Sequence, residues 1–297
     1  MNYFYFFLLA FFWGTAFVGV KYNVGTVDPY FSAFLRVFIG FAVFTAWFLA
    51  AKQPVFLPRK DAWRPWLAGL LIMGLPFIFL YWGQQFIPAG TAGIFNGTVP
   101  LWVFVIAALT LRGEDAFTWR KTAGVLLGFA GLLMVLSPAI AKFMAGSGKM
   151  TLYGSISVLA MAVCYAAGNV LTKYILSKKI TLPQNIFHQH LFSMVFLFFV
   201  CLLAGAKMPG REILQPKVLL SILYVALFSS AAALLLLFRL LKDWGALRVS
   251  AATYLVPVIA LGSDFILNGR APNICEAGGV VLIILSLILI QFEKKKA

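Results

Sequence analysis

Residues 80–100, LYWGQQFIPAGTAGIFNGTVP, lie without a gap against residues 237–257, LFRLLKDWGALRVSAATYLVP. Leu80/Leu237, Ala89/Ala246, Val99/Val256 and Pro100/Pro257 are identical in the two stretches. In each, a helix-breaking tripeptide divides two apolar runs, Pro88-Ala89-Gly90 in the first and Asp243-Trp244-Gly245 in the second. A second match sets Trp13 to Tyr22 against Tyr165 to Tyr174. It repeats Lys21 as Lys173 and Tyr22 as Tyr174, and places Trp13 opposite Tyr165. The chain therefore reads as two related halves.

Working outward, the apolar runs extend over nearly all of the 297 residues. The composition is 62% hydrophobic and 11% charged, with a mean hydropathy of +0.95. Soluble domains carry about 45–50% apolar and about 25% charged residues, so a soluble globular fold is excluded. Continuous runs of helix length, such as Leu219 to Leu237, also differ from the period-two alternation of a transmembrane barrel. The expected fold class is an all-α integral membrane protein of ten transmembrane helices. Their spans are 3–21, 31–51, 66–87, 90–111, 119–137, 151–175, 185–205, 217–241, 244–267 and 274–292. At ~20 residues per span, the connections are too short to hold an extramembrane catalytic domain. The first run lacks a basic leader and a small-residue cleavage site, and reads as a retained span.

The net charge of +15 would suggest nucleic acid in a soluble chain. Here the basic residues sort by connection instead. With the N-terminus inside, the inner side holds Lys52, Arg59, Lys60, Arg64, Arg112, Arg120, Lys121, Lys173, Lys178, Lys179, Arg239, Lys242, Arg248 and Lys294 to Lys296. The outer side holds only Lys21, Lys142, Lys149, Lys207, Arg211, Lys217 and Arg270, while Arg36 falls within a span. Retention of Lys and Arg in the cytoplasm predicts both termini cytoplasmic. Five spans per half is an odd number, so the second half (142–297) enters inverted relative to the first (1–141). Inverted repeats usually mean alternating access around a central cavity near the middle of the bilayer, at the repeat interface.

These residues resemble the drug/metabolite transporter superfamily, and within it the EamA-type ten-helix exporters. The likeness is carried by Trp13-Gly14-Thr15-Ala16-Phe17, by the Pro29 to Arg36 spacing and by Ala89-Gly90-Thr91-Ala92 leading to Pro100. Gly113-Glu114 and the run GVLLGFAG from Gly124 to Gly131 complete it. The second half departs at Asn268-Gly269-Arg270-Ala271, which has no acid where the family often repeats the Gly-Glu pair. The resemblance implies a basket of helices one to four and six to nine around a cavity, braced by helices five and ten. It also implies export of amino acids and related metabolites.

Other chemistries leave no trace. There is no Walker-type phosphate loop, HExxH pair or GxSxG elbow, which points to a non-enzyme, without cofactor or metal, working by secondary or facilitated transport. Cys164, Cys201 and Cys275 are odd in number and lie in or beside spans, which argues against a disulfide framework. Gly124-xxx-Gly128 allows close helix packing.

The candidate substrate-binding residues are the polar and aromatic groups at membrane depth, because an uncompensated polar group there is costly. Arg36, about 8 Å inside its span, either attracts a carboxylate or snorkels to the interface. His190 repeats its position after Pro183 and is a candidate proton-responsive group; a hydrogen-bonded packing role is the alternative. His188 lies on another face. Trp13, Tyr165, Trp102 and Tyr254 are too deep for an interfacial belt and suit an aromatic-walled cavity. Asn96, its counterpart Thr253, Asn169, Gln84 and Gln85 are candidates to orient a solute, and Tyr81 is expected to share a face with Gln84 and Gln85. Glu114, Asp115, Asp264 and Glu276 complete the short carboxylate inventory, so proton coupling and facilitated diffusion both stay open. The partners expected are a small amphipathic solute and the lipid bilayer, with no nucleic acid. The alternatives are a nucleotide-sugar or phosphate-ester exchanger, a lipid-acting enzyme and a non-transporting scaffold.

Overall fold

The computed structural model describes residues 1–110, 118–146, 148–178, 180–259, 271 and 273–291. Its described elements are helices, and no strand occurs among the described residues. Eight helices are long and apolar enough to cross a membrane: α1 Asn2–Val24, α2 Pro29–Ala50, α3 Lys60–Gly83, α4 Ala89–Thr110, α6 Lys149–Leu176, α7 Leu182–Leu203, α8 Pro216–Trp244 and α10 Ile274–Gln291. Two of the ten expected segments are shorter. Helix α5, Trp119–Val135, has 17 residues. Helix α9, Ala246–Ile259, covers the first part of the ninth segment, and 260–267 lie outside the described residues.

Local chemistry sets the helix ends. Asp28 accepts the Tyr30 and Phe31 amides at the start of α2, with Pro29 in the first turn. Thr181 and Gln184 form a capping box on α7. Lys21 of α1 reaches the Gln84 and Ile87 carbonyls beyond the end of α3, at 2.6 and 3.1 Å. Its repeat counterpart Lys173 reaches the Lys242 carbonyl near the end of α8 at 3.1 Å. Each lysine thus supplies a cation and a donor where helix carbonyls are left over.

The halves interlock. Helix α1 runs antiparallel along α8: Asn2 Nδ2 donates to Asp243, Ser229 Oγ to the Phe12 carbonyl, and Ser221 Oγ to Asn23 Oδ1. Helix α6 lies in the same way along α3, with Ser157 Oγ donating to the Phe79 carbonyl at 2.9 Å. Helices α2 and α7 pair, and so do α5 and α10. In the last pair Gly124 and Gly131 face the α10 backbone, and Gly128 makes room for the Tyr254 ring and the Ser286 side chain. Outward-facing Phe4, Phe7, Phe11 and Val18 on α1 are exposed, as expected where the solvent is hydrocarbon.

Irregular turns recur at equivalent places. A π-helical stretch begins at Leu70 in α3 and another at Leu227 in α8. In α4 the helix breaks at Gly97 and Thr98 just before Pro100, and in α9 a 3₁₀ stretch, Ala251–Tyr254, precedes Pro257. Proline has no N–H to give to the carbonyl four residues earlier, which releases the carbonyls of Asn96 and Thr253. The turns between helices use different means. Pro88 leads into α4, whereas Gly245 between α8 and α9 sits at φ 90° and ψ 165°, a region open essentially to glycine alone. Gly245→Ala is expected to cost about 1–3 kcal/mol and to lower the thermal midpoint in detergent. Gly90→Ala, in open space at normal helical φ, serves as the comparison; equal midpoints for the two variants would refute the strain argument.

Candidate functional site

The breaks before Pro100 and Pro257 border a cavity between the halves. It is lined by Trp13, Ala16 and Phe17 of α1, Arg36 of α2, Leu80 of α3, Asn96 and Val99 of α4, Met161, Tyr165 and Asn169 of α6, and Thr253 of α9. It has about 450 Å³ of empty space when the part continuous with the exterior is counted, and the cavity itself is small, about 30 Å³. One water needs at least about 10–15 Å³ by that measure, so this conformation holds the site narrow. The walls are mainly apolar and aromatic with a few placed polar groups, as in small-molecule sites generally.

Three repeat-related pairs meet in this cavity, Trp13 with Tyr165, Phe17 with Asn169 and Asn96 with Thr253. The Thr253 hydroxyl donates to the Ser250 carbonyl at 2.9 Å, and the Asn169 Oδ1 is buried without a partner. Arg36 is 4% exposed. Its Nε donates to Ser230 Oγ at 2.5 Å, its Nη2 lies 3.4 Å from the Ser229 carbonyl, and its Cζ sits 3.9 Å from the centre of the Phe77 ring. Both serines belong to the π-helical stretch of α8, so the guanidinium joins α2 to that irregular turn. Arg36 therefore does not snorkel to an interface.

The structure does not bring Gln84, Trp102, His190 or Tyr254 into this lining, while Tyr81 sits behind it against Arg36. Gln84 is buried and donates to the Phe17 carbonyl at 3.3 Å, tying α3 to α1. Gln85 is exposed and bonds back to Trp82, so it does not share the buried face of Tyr81 and Gln84: α3 ends at Gly83, and the chain turns there. Trp102 donates its indole N–H to Thr98 Oγ1 at 3.2 Å within its own helix. Tyr254 donates its hydroxyl to the Val125 carbonyl at 3.1 Å and fastens α9 to α5.

His190 packs edge-on to Phe44 at 4.9 Å, beside Gly40, with Nδ1 2.9 Å from the Ile186 carbonyl. His188 sits between the Leu57 amide and the Trp66 indole, both at 3.2 Å. These are packing positions between α2, α3 and α7. His190→Gln is accordingly expected to leave the shape of the flux–pH profile unchanged; a flattened profile with normal folded yield would make His190 the proton-responsive group.

Glu276 accepts the Asn273 amide at 2.7 Å while Asn273 caps Glu276 in return, a helix-start arrangement. Glu114, Asp115, Asp264 and Arg270 lie outside the described residues. Arg239 is exposed, with its guanidinium 5.3 Å from the Tyr5 ring centre. Among the described residues no cluster of three His, Cys, Asp or Glu is placed to hold a metal.

Sequence reasoning overlooked the apolar lining of Ala16, Phe17, Leu80, Val99 and Met161. One signal is present in the sequence: the repeat sets Phe17 opposite the polar candidate Asn169.

Fold and cavity define a multi-pass helical membrane protein with a narrow internal cavity between two interlocked halves. Residues 1–137 and 152–292 match the model of the EamA-like transporter family, and the chain belongs to that family. It is 25% identical over 284 residues to an uncharacterized transporter of Archaeoglobus fulgidus, covering 94% of each chain. It is 24% identical over 286 residues to a protein of Salmonella typhimurium named a probable amino-acid metabolite efflux pump, covering 94% of this chain and 91% of that one. A protein of known crystal structure superposes on 100% of this chain and 99% of its own with a TM-score of 0.76 at 19% identity, a likeness of fold.

Proposed function

We propose that this protein is a secondary or facilitated transporter of the cytoplasmic membrane that exports a small amphipathic metabolite, amino acids and related compounds first among them. It works by alternating access. On this reading the chain is ten spans in two inverted five-helix repeats, 1–141 and 142–297, with both termini cytoplasmic, and it is not an enzyme.

The observation that carries the proposal is the cavity itself, built from repeat-equivalent residues of both halves, aromatic at Trp13 and Tyr165 and polar at Asn96 and Thr253. A site at the repeat interface is where a rocking transporter holds its solute. The narrowness of the cavity supports a cycle in which solute entry needs the halves to part. The π-helical stretches in α3 and α8 support a functional site beside Arg36, because such turns often mark functional sites within helices. Two efflux-pump relatives, from Salmonella typhimurium and Escherichia coli, support the amino-acid class.

The test is counterflow in proteoliposomes loaded separately with amino acids, nucleosides or sugar phosphates, with and without an imposed pH gradient. Amino-acid counterflow is the expected result, and acceleration by the gradient would identify proton coupling. Sugar-phosphate exchange would replace the substrate class, and absence of flux for every class would overturn the transporter reading.

A further inference from the structure

Arg36 is the only cation among the described lining residues, and its hydrogen bonding is incomplete. Nε and Nη2 are taken by a serine hydroxyl and a backbone carbonyl, both neutral. Phe77 covers one face of the guanidinium. Nη1 is buried and makes no hydrogen bond, with the neutral Tyr81 hydroxyl facing the guanidinium. Among the described residues no carboxylate is paired with Arg36. Asp28, which caps that helix, is eight positions away, about 12 Å along the axis, and its carboxylate is occupied by the Tyr30, Phe31 and Lys207 amides.

A charge at this depth without a counterion is costly. Here it is also held rigid, which a snorkelling side chain is not. Ser229, Ser230 and Phe77 orient the guanidinium without neutralising it, and a guanidinium with free N–H groups matches the geometry of a carboxylate. The charge of the site further restricts its guest. A cation would meet Arg36 in a medium of low dielectric constant. A phosphate dianion would keep one charge that nothing among the described lining residues offsets. A monoanion cancels the charge.

We propose that Arg36 anchors the carboxylate of the transported solute. The cavity therefore selects organic monocarboxylates whose apolar or aromatic body lies against Trp13 and Tyr165, and recognition does not require an amino group. This rests on the transporter reading and deepens it: an amino acid is accepted through its carboxylate, and the matching acid without the ammonium binds at least as well.

The test uses the purified full chain and three probes with one aromatic body: L-phenylalanine, 3-phenylpropionate and phenethylamine. Binding is read by tryptophan fluorescence and by the shift of thermal midpoint. The expected order is 3-phenylpropionate equal to or tighter than L-phenylalanine, with phenethylamine weaker by about tenfold or more, the loss of a charge-assisted pair. Arg36→Gln is expected to bring 3-phenylpropionate and phenethylamine to within a few-fold of each other while giving a monodisperse peak on size exclusion. If that variant does not fold, Arg36→Lys keeps the charge and loses the fork, and it is expected to weaken 3-phenylpropionate several-fold. The assignment is overturned if the wild type shows no carboxylate preference, whether all three probes bind or none does. It is also overturned if the preference survives Arg36→Gln unchanged, or if Arg36→Lys binds 3-phenylpropionate as tightly as the wild type. Metabolite counterflow without carboxylate preference would overturn the anchor and spare the transporter; carboxylate binding through Arg36 with no flux of any class would do the reverse.

Discussion

Gly131→Leu is expected to abolish the accumulation of folded protein. A Cβ at Gly131 would stand 2.7 Å from the Gly279 carbonyl oxygen and 3.0 Å from the Ile283 amide, and a Cβ at Gly279 would stand 2.6 Å from the Gly131 oxygen. These are contacts of backbone on backbone, so no flexible side chain can swing aside and the two helix axes must separate. In lipid that separation is serious, because no hydrophobic force holds helices together and close packing supplies much of their association energy. Overpacking typically costs about 1–3 kcal/mol, occasionally more, and a leucine driven into a backbone crossing belongs at the upper end. Folded yield in detergent, measured by fluorescence-detected size exclusion, checks the prediction. Leu126→Ala is the control, since Leu126 on the same helix is exposed and its loss is expected to change little. Wild-type yield and midpoint for Gly131→Leu would show that the α5–α10 contact can open freely.

Trp13→Ala is expected to reduce flux per folded molecule by about tenfold or more, whereas Trp102→Ala leaves it within about twofold. Tenfold corresponds to about 1.4 kcal/mol, a modest share of what a stacked indole contributes through area and ring contact. The two tryptophans are similar by sequence: each lies near mid-span in the first half, and each is half-buried. Their surroundings differ. Trp13 lines the cavity with its repeat partner Tyr165, while Trp102 turns its indole N–H back to Thr98. Counterflow normalised to monodisperse protein separates the two cases. Equal loss of flux in both variants would mean that Trp102 contributes to the path through a conformation other than this one, and equal tolerance would remove the aromatic wall from recognition.

The two contrasts show what kind of information each level holds. Helicity, membrane residence and the approximate spans were legible because they depend on local composition: a run of about 20 apolar residues satisfies its own backbone whatever lies beside it. The gapless matches between stretches of sequence pair Trp13 with Tyr165 and Asn96 with Thr253. Arg36 stood out because a charge at that depth needs a reason to be there. The direction in which each side chain points was not legible. Each residue turns a helix by about 100°, so an error of one position redirects the side chain. The helices here also depart from regularity before the residues in question. Gln84 follows the π-helical stretch at Leu70–Gly74, and Tyr254 lies inside a 3₁₀ stretch, so extrapolating a regular helix does not fix where either side chain points. His190 looked equivalent to Arg36 by spacing, but the groups across from the two differ: Ser229 and Ser230 for Arg36, Gly40 and Phe44 for His190. The sequence alone determined that this chain is a helical membrane protein with a short inventory of deep polar groups. Only the tertiary structure decided which of them share a cavity, because helix phase and the identity of the facing helix are properties of packing between segments distant in the chain.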